Sequence, residues 1–170
     1  MSAIRADESA FDTFVASRLR SLSRAAHLLT GDHHLAEDLV QTTLFKAAKA
    51  WHRIQGDPEP YVRRILHNEG VSMWRRRKLQ EVPLEYGAHR PGPAEDSDLR
   101  ISLRDALTTL TPRQRSVIVL RYYDDLTEVQ TAAVLDIAPG TVKSMTREAF
   151  AKLRQNAPHL ADLITAGGDA

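Results

Sequence analysis

The sequence predicts an all-α protein of two small helical domains joined by a flexible linker, and three observations carry that reading. Apolar residues recur at spacings of three and four over most of the chain, with no strand-like alternation of useful length and no internal repeat. The periodicity fades from Leu79 to Ser97, where Pro83, Gly87, Pro91, Gly92 and Pro93 punctuate a polar, acidic stretch. Helix-start signatures then recur beyond that stretch. With 170 residues, 42% of them hydrophobic, there is apolar material for one compact domain or two small lobes, which rules out a disordered or collagen-like chain.

Taken in order, Phe11, Phe14, Val15, Leu19, Leu22 and Leu29 mark a first amphipathic helix that Gly31 stops. Asp32 is placed to cap a second, striped by Leu35, Leu39, Val40, Thr43 and Ala47 and ending before Gly56-Asp57-Pro58. A third starts near Pro60, carries Tyr61, Val62, Ile65 and Leu66 on its apolar face, is weakened at Gly70, and reaches Trp74 and the block Arg75-Arg76-Arg77-Lys78. Past the linker, Leu99, Leu103, Leu107 and Leu110 form another helical face. Thr111-Pro112-Arg113-Gln114 then combines an N-cap, a proline at the first helical position and a capping-box glutamine. Thr127-Glu128-Val129-Gln130 repeats the capping signature and opens a short helix through Ala132, Ala133 and Leu135, interrupted by Asp136-Ile137-Ala138-Pro139-Gly140. A last helix runs from about Thr141 to Arg154. The expected division is a first domain over 1–78, a linker over 79–100, a second domain over 101–156 and a short tail over 157–170.

The net charge of +1 hides an asymmetry. Residues 1–78 hold 13 basic and 9 acidic side chains, residues 79–100 hold 2 and 5, and residues 101–155 hold 8 and 6. Two mildly basic bodies joined by an acidic connector suit approach to a polyanion, with solvated surface charge as the alternative. Zero cysteines exclude disulfides, thiolate metal sites and a thiol nucleophile. No apolar run approaches the ~20 residues of a membrane helix, and no secretory leader is seen, so a cytoplasmic location is expected. His33 with Glu37 and His34 with Asp38 stand at i and i+4, a spacing that can bind metal, but no third ligand is apparent, and helix-start acids are ordinary dipole partners. No phosphate-binding loop, dinucleotide fingerprint, nucleophile elbow or zinc-protease pattern is present, so neither an enzyme nor a cofactor is expected.

Two constellations carry nucleic-acid chemistry. The short helices around Ala132-Ala133 and Val142 read as a helix-turn-helix, which would aim Thr141, Lys143, Ser144, Thr146 and Arg147 at base edges or phosphates and leave Lys152 and Arg154 for the backbone. An ordinary helical hairpin is the alternative. Tyr61, Arg63, Arg64, Asn68 and Trp74 with Arg75, Arg76 and Arg77 place aromatics, an amide and repeated cations on one helix, the components for holding a single strand by stacking and phosphate contact. Here the alternative is a solvated terminus complementing the helix dipole, with Tyr61 and Trp74 in the core.

Several of these stretches, in this order, resemble the bacterial RNA polymerase sigma factors of the extracytoplasmic-function class (group 4), in their minimal two-domain, SigE-like form, over about residues 10–155. Ala36-Glu37-Asp38-Leu39-Val40-Gln41 is similar to the region 2 helix that docks on core polymerase. Glu59-Pro60-Tyr61-Val62-Arg63-Arg64-Ile65-Leu66-His67-Asn68 with Trp74-Arg75-Arg76-Arg77 is similar to the promoter-melting segment. Leu110-Thr111-Pro112-Arg113-Gln114-Arg115 and Pro139-Gly140-Thr141-Val142-Lys143-Ser144 are similar to region 4, a pattern shared with LuxR-type domains. The resemblance implies a region 2 bundle and a region 4 helix-turn-helix. It also implies a polymerase-facing set Asp38, Leu39 and Gln41, and a pocket of Ala50, Ile54 and Asn68 for a flipped −10 base. Core polymerase and promoter DNA, duplex at −35 and single-stranded at −10, are the implied partners, with room for an anti-sigma factor. Thr42 and Ser72 stand where many relatives carry acids, and Met145 and Glu148 where many carry arginine in the recognition helix. A LuxR-like regulator of duplex DNA and a helical protein-binding adaptor remain as readings from other classes.

Overall fold

A computed structural model describes residues 2–79 and 98–158. Most of the expected linker, residues 80–97, and the tail from 159 lie outside the described residues. The first lobe is a bundle of α1 (Ser2–Thr30), α2 (His33–Ala50) and α3 (Glu59–Leu79). Its core is the apolar stripe of each helix: Leu22, Ala26 and Leu29 meet Leu39, Val40 and Ala47, with Val62 and Leu66 closing the third side. Phe11 and Phe14 hold Trp51 at ring-centroid distances of 5.0 and 5.3 Å, which seals one end.

Local chemistry accounts for the turns. Gly31 adopts φ +70°, and a Cβ there would stand 2.8 Å from Thr108 Cγ2 of the other lobe, so both the backbone and the close approach demand glycine. The Asp32 carboxylate accepts from the Leu35 N–H at 2.9 Å and starts α2. A single 3-10 turn, Trp51–Arg53, leads out of it.

The second lobe contains α4 (Asp98–Thr108), α5 (Pro112–Ile118), α6 (Glu128–Leu135) and α7 (Pro139–Asn156). Helix α4 begins inside the expected linker range. Both capping boxes form as the sequence predicts: Thr111 and Thr127 each accept from the N–H three residues on, and Gln114 and Gln130 accept in return from the cap N–H. Asp136, at φ +55°, ends α6 in the left-handed region. Helix α7 starts at Pro139, two residues before the expected Thr141, because proline is preorganised for the first helical turn and does not prolong the interruption. Between α5 and α6 the chain makes a π-helical turn, Val119–Tyr123.

The two lobes share a core. Val119 belongs to the apolar cluster of the first bundle, and Leu28 packs on the second lobe's Leu107, Leu110 and Leu153 group. A proline- and glycine-rich connector predicts independent bodies, but the described residues form a closed pair of lobes, because each lobe leaves an apolar side chain that only the other covers.

Candidate nucleic-acid interface

Helix α3 carries the cationic constellation, most of it exposed, alongside the junction of the two lobes. Val62, Leu66 and His67 are turned inward, whereas Tyr61, Arg64, Asn68, Arg75 and Arg76 are exposed and Arg63 and Arg77 half-buried. Ala50 and Ile54, arriving from the end of α2, stand with Tyr61, Arg63 and Arg64 around one cleft of about 710 Å³. The opposite wall is the second lobe: Leu126, Gln130, Ala133 and Val134. Asn68, expected in that pocket, lies outside its lining and on the exposed side of α3. Trp74 also departs from expectation. Its Nε1–H points at the Leu29 carbonyl at 3.4 Å and its ring faces the Arg115 guanidinium at 5.3 Å, so it is held at the lobe junction and is not offered to a base.

Charge is partnered along this seam. Glu59 receives Arg18 at 2.7 Å and Arg63 at 3.0 Å, and Arg63 Nε also faces Asp124 of the second lobe at 3.4 Å. His67 is fully buried with its Nε2 3.6 Å from the same Asp124 oxygen. Burial pulls the His67 pKa below its ordinary value, an effect that Asp124 partly opposes and Arg63 reinforces, so the ring is neutral.

Helix α7 divides cleanly into two faces. Val142, Ala149, Phe150 and Leu153 are buried, and Lys143, Ser144, Arg147 and Arg154 are exposed, with Thr141, Thr146 and Lys152 at the boundary. The Thr146 hydroxyl donates to the Val142 carbonyl at 2.8 Å, and Lys152 donates to Gln114 at 3.1 Å, so both are partly engaged inside the lobe. The two departures from the family pattern on this helix have structural reasons. Met145 packs on the Val117, Leu120 and Val142 cluster, and Glu148 accepts from the Gln114 amide at 3.1 Å, tying the recognition helix to the start of α5.

On α2, Asp38 and Gln41 are exposed one turn apart. Leu39, expected beside them, is instead a core residue at 2% exposure, since its position on the helix faces Leu29 and Gly70. Thr42 and Ser72 are half-buried. His33 pairs with Glu37 at 3.1 Å and His34 lies 4.0 Å from Glu37, not Asp38, and among the described residues no three His, Asp or Glu converge as a metal site. No described helix is long and apolar enough to cross a membrane.

Sequence reasoning missed Arg115. It is 2% exposed and donates to the carbonyls of Leu29 (2.5 Å), Leu107 (2.8 Å), Thr108 (3.2 Å) and Leu110 (3.3 Å). A cation amid the buried run Gln114–Leu120 was the available signal, because such a guanidinium must find acceptors and the carboxyl ends of helices supply them. Nothing local marks Asp124, whose partners lie on another lobe.

Comparison with known proteins agrees with this geometry. The Sigma-70 region 2 model matches residues 14–80 and the Sigma-70, region 4 model residues 106–155. The RNA polymerase sigma-E factor of Streptomyces coelicolor is 38% identical over 149 residues, 85% of this chain and 84% of that protein. The ECF RNA polymerase sigma factor SigE of Mycolicibacterium smegmatis is 31% identical over 154 residues, 85% of this chain and 60% of that one. Among solved structures, the sigma factor RpoE of Bartonella quintana, in complex with the anti-sigma factor NepR, has a TM-score of 0.71 at 30% identity and covers 86% of this chain and 95% of its own. The same two-lobed helical arrangement, with a solvent-facing cationic helix in each lobe and these matches along its length, places the chain in the extracytoplasmic-function class of RNA polymerase sigma factors, non-enzymatic proteins that act with core polymerase and promoter DNA in transcription initiation.

Proposed function

We propose the following division of labour for this sigma factor. Residues 1–78 form the unit that docks on polymerase through Asp38 and Gln41 and takes the melted −10 strand along α3, using Tyr61, Arg63, Arg64, Asn68 and the cationic end at Arg75, Arg76 and Arg77. Ala50 and Ile54 provide the apolar floor for a flipped base, a role an aliphatic wall with nearby donors suits. Residues 101–156 read the −35 element through Lys143, Ser144 and Arg147, with Thr141, Thr146 and Lys152 in support. Residues 79–100 connect the two, and 157–170 form a tail. The protein works in the cytoplasm beside polymerase, performs no catalysis of its own, and has an anti-sigma protein as its third partner, the kind of complex the Bartonella relative forms.

The observation that carries this reading is the split face of α7, whose exposed side is Lys143, Ser144 and Arg147 while its other side builds the lobe's core. In vitro transcription with core polymerase and a promoter library tests it. Asp38→Arg with Gln41→Ala should abolish co-purification with core polymerase and leave the helical fold intact. Lys143→Ala and Arg147→Ala should weaken −35 binding by about 1–3 kcal/mol where a base contact is lost, or flatten the salt dependence where a phosphate contact is lost. Asn68→Ala should recover part of its activity on a template with a pre-melted −10 bubble, while the α7 variants should gain little. Equal rescue of both classes would overturn the separation.

A further inference from the structure

The exposed side of α7 carries two parallel rows of side chains. Residues four apart on a helix share a stripe, so Lys143 and Arg147 form a cationic row, and Ser144 and Glu148 form a second row one position further round. Glu148 is the single acid of this helix and is exposed. Its Oε2 accepts from Gln114 Nε2 at 3.1 Å. Gln114 is buried in α5 at 6% exposure, and its own Oε1 accepts from the Thr111 N–H at 3.2 Å and from Lys152 Nζ at 3.1 Å. An amide engaged from both ends in this way has a fixed orientation, and it holds one carboxylate oxygen in place. The other oxygen, Glu148 Oε1, has no hydrogen-bond partner among the described residues.

We propose that Glu148 is a specificity-determining residue: its free carboxylate oxygen accepts a hydrogen bond from the exocyclic amino group of a cytosine in the major groove of the −35 element. This role rests on the reading of α7 as the −35 helix. An ionised carboxylate accepts and cannot donate. In the major groove guanine offers N7 and O6, both acceptors, and thymine offers the O4 acceptor and a methyl group, so neither gives the carboxylate a donor. Adenine sets its N7 acceptor beside its N6 amino group, whereas cytosine presents N4 alone. Cytosine is therefore the base that a single free carboxylate oxygen fits. Lys152, bonded to the same Gln114, keeps a cation near the anion and offsets the repulsion from DNA phosphates. The Gln114 bond also orders the Glu148 side chain before DNA arrives, so little rotamer freedom is left to lose on binding.

The test uses the full chain bound to core polymerase and a promoter library randomised through the duplex −35 segment, with templates recovered from the bound complexes and sequenced. Three variants change the donor and acceptor pattern at one position of α7. Glu148→Gln supplies the pair of groups that matches adenine N6 and N7, Glu148→Arg supplies the donors that match guanine O6 and N7, and Glu148→Ala supplies neither. Circular dichroism checks that helix content is retained. Base preference is read only from complexes that form, so a loss of stability lowers the yield without changing which base is chosen.

The wild type should prefer cytosine over guanine by about tenfold at one −35 base pair. At that same pair Glu148→Gln should turn the preference to adenine and Glu148→Arg to guanine, and Glu148→Ala should bring the four bases within about threefold of one another. Lys143→Ala and Arg147→Ala are run beside them. If those two weaken −35 selection while the three Glu148 variants leave the base profile unchanged, Glu148 is only a strut between α7 and α5 and its reading role falls alone. If none of the five variants alters selection, α7 is not the −35 helix and the role of Glu148 falls with that reading. A wild-type preference for any base other than cytosine at the pair that the Glu148 variants alter would overturn the acceptor chemistry.

Discussion

His67 sits where α3 meets the second lobe, fully buried, with Asp124 and Arg63 as the charged groups facing it. Its native pKa is lowered from the ordinary 6.5, mainly by desolvation. In the unfolded chain the ring takes up a proton near that ordinary value, so below it the unfolded state binds more protons than the native one. The neutral ring's contribution is therefore complete above about pH 6.5 and is lost as pH falls towards the lowered native pKa, with a slope of at most about 1.4 kcal/mol per pH unit. Urea denaturation between about pH 7.5 and 5.5 should show stability falling in the wild type and a flatter profile in His67→Gln. Identical profiles would mean that the native ring is not held neutral. At the same scale, Met145 and Glu148 show why a residue that breaks a family pattern needs its surroundings: Met145 is half-buried against a core, and Glu148, though exposed, has its carboxylate engaged by the Gln114 amide.

Element by element, starts and stops follow local chemistry. Thr111 and Thr127 cap helices of seven and eight residues, which are too short to persist in water without caps and tertiary contacts. Helix α3, at 21 residues, is long enough to tolerate Gly70 in its interior at a conformational cost. A Cβ there would meet Leu39 and Leu29 at 3.5 and 3.7 Å, ordinary contact distances, and the residue lies in helical backbone. Gly70→Ala should accordingly raise stability by up to about 1 kcal/mol, read as a higher urea midpoint with an unchanged slope. A loss of stability would show that α3 needs the glycine for close approach to α1 and α2. Gly31 is the contrasting case, since its positive φ and the 2.8 Å approach to Thr108 Cγ2 both exclude a side chain.

For the whole molecule, closure rests on three kinds of contact: the Val119 and Leu28 exchange of apolar cores, the Asp124 ion pairs, and Arg115. The Arg115 fork bonds carbonyls on both sides, reaching Leu29 at the end of α1 as well as Leu107, Thr108 and Leu110 around the end of α4. Lysine cannot reproduce that fork, because its three donors radiate from one atom. Arg115→Lys should cost about 3 kcal/mol or more by leaving buried carbonyls unpaired. In a Trp51→Phe background it should also separate the Trp74 fluorescence transition from the loss of helix signal, two transitions expected to coincide in the chain that keeps Arg115. Coincident transitions at an unchanged midpoint would show that Arg115 does not join the lobes.

Helix existence and starts, the helix-turn-helix and the split face of α7 were legible in the sequence because each depends on residues within one or two turns: a cap and its N3 partner, an apolar stripe, a proline at N1. The exposed pair Asp38 and Gln41 was legible for the same reason, and so was the burial of Leu39, which the apolar stripe of α2 puts on the core side and only the resemblance put on the polymerase face. The lobe junction was beyond reach. Leu29 and Arg115 are 86 residues apart, and Arg63 and Asp124 lie on separate lobes. A proline- and glycine-rich connector carries no record of whether the bodies it joins will touch. Sequence alone thus determined which helices form and which of their faces are polar, because propensity, capping and periodicity are local. Tertiary structure decided that Trp74 and Arg115 serve the junction and that α6 lies across α3, because a buried guanidinium or an uncovered apolar side chain settles wherever the folded chain brings it a partner.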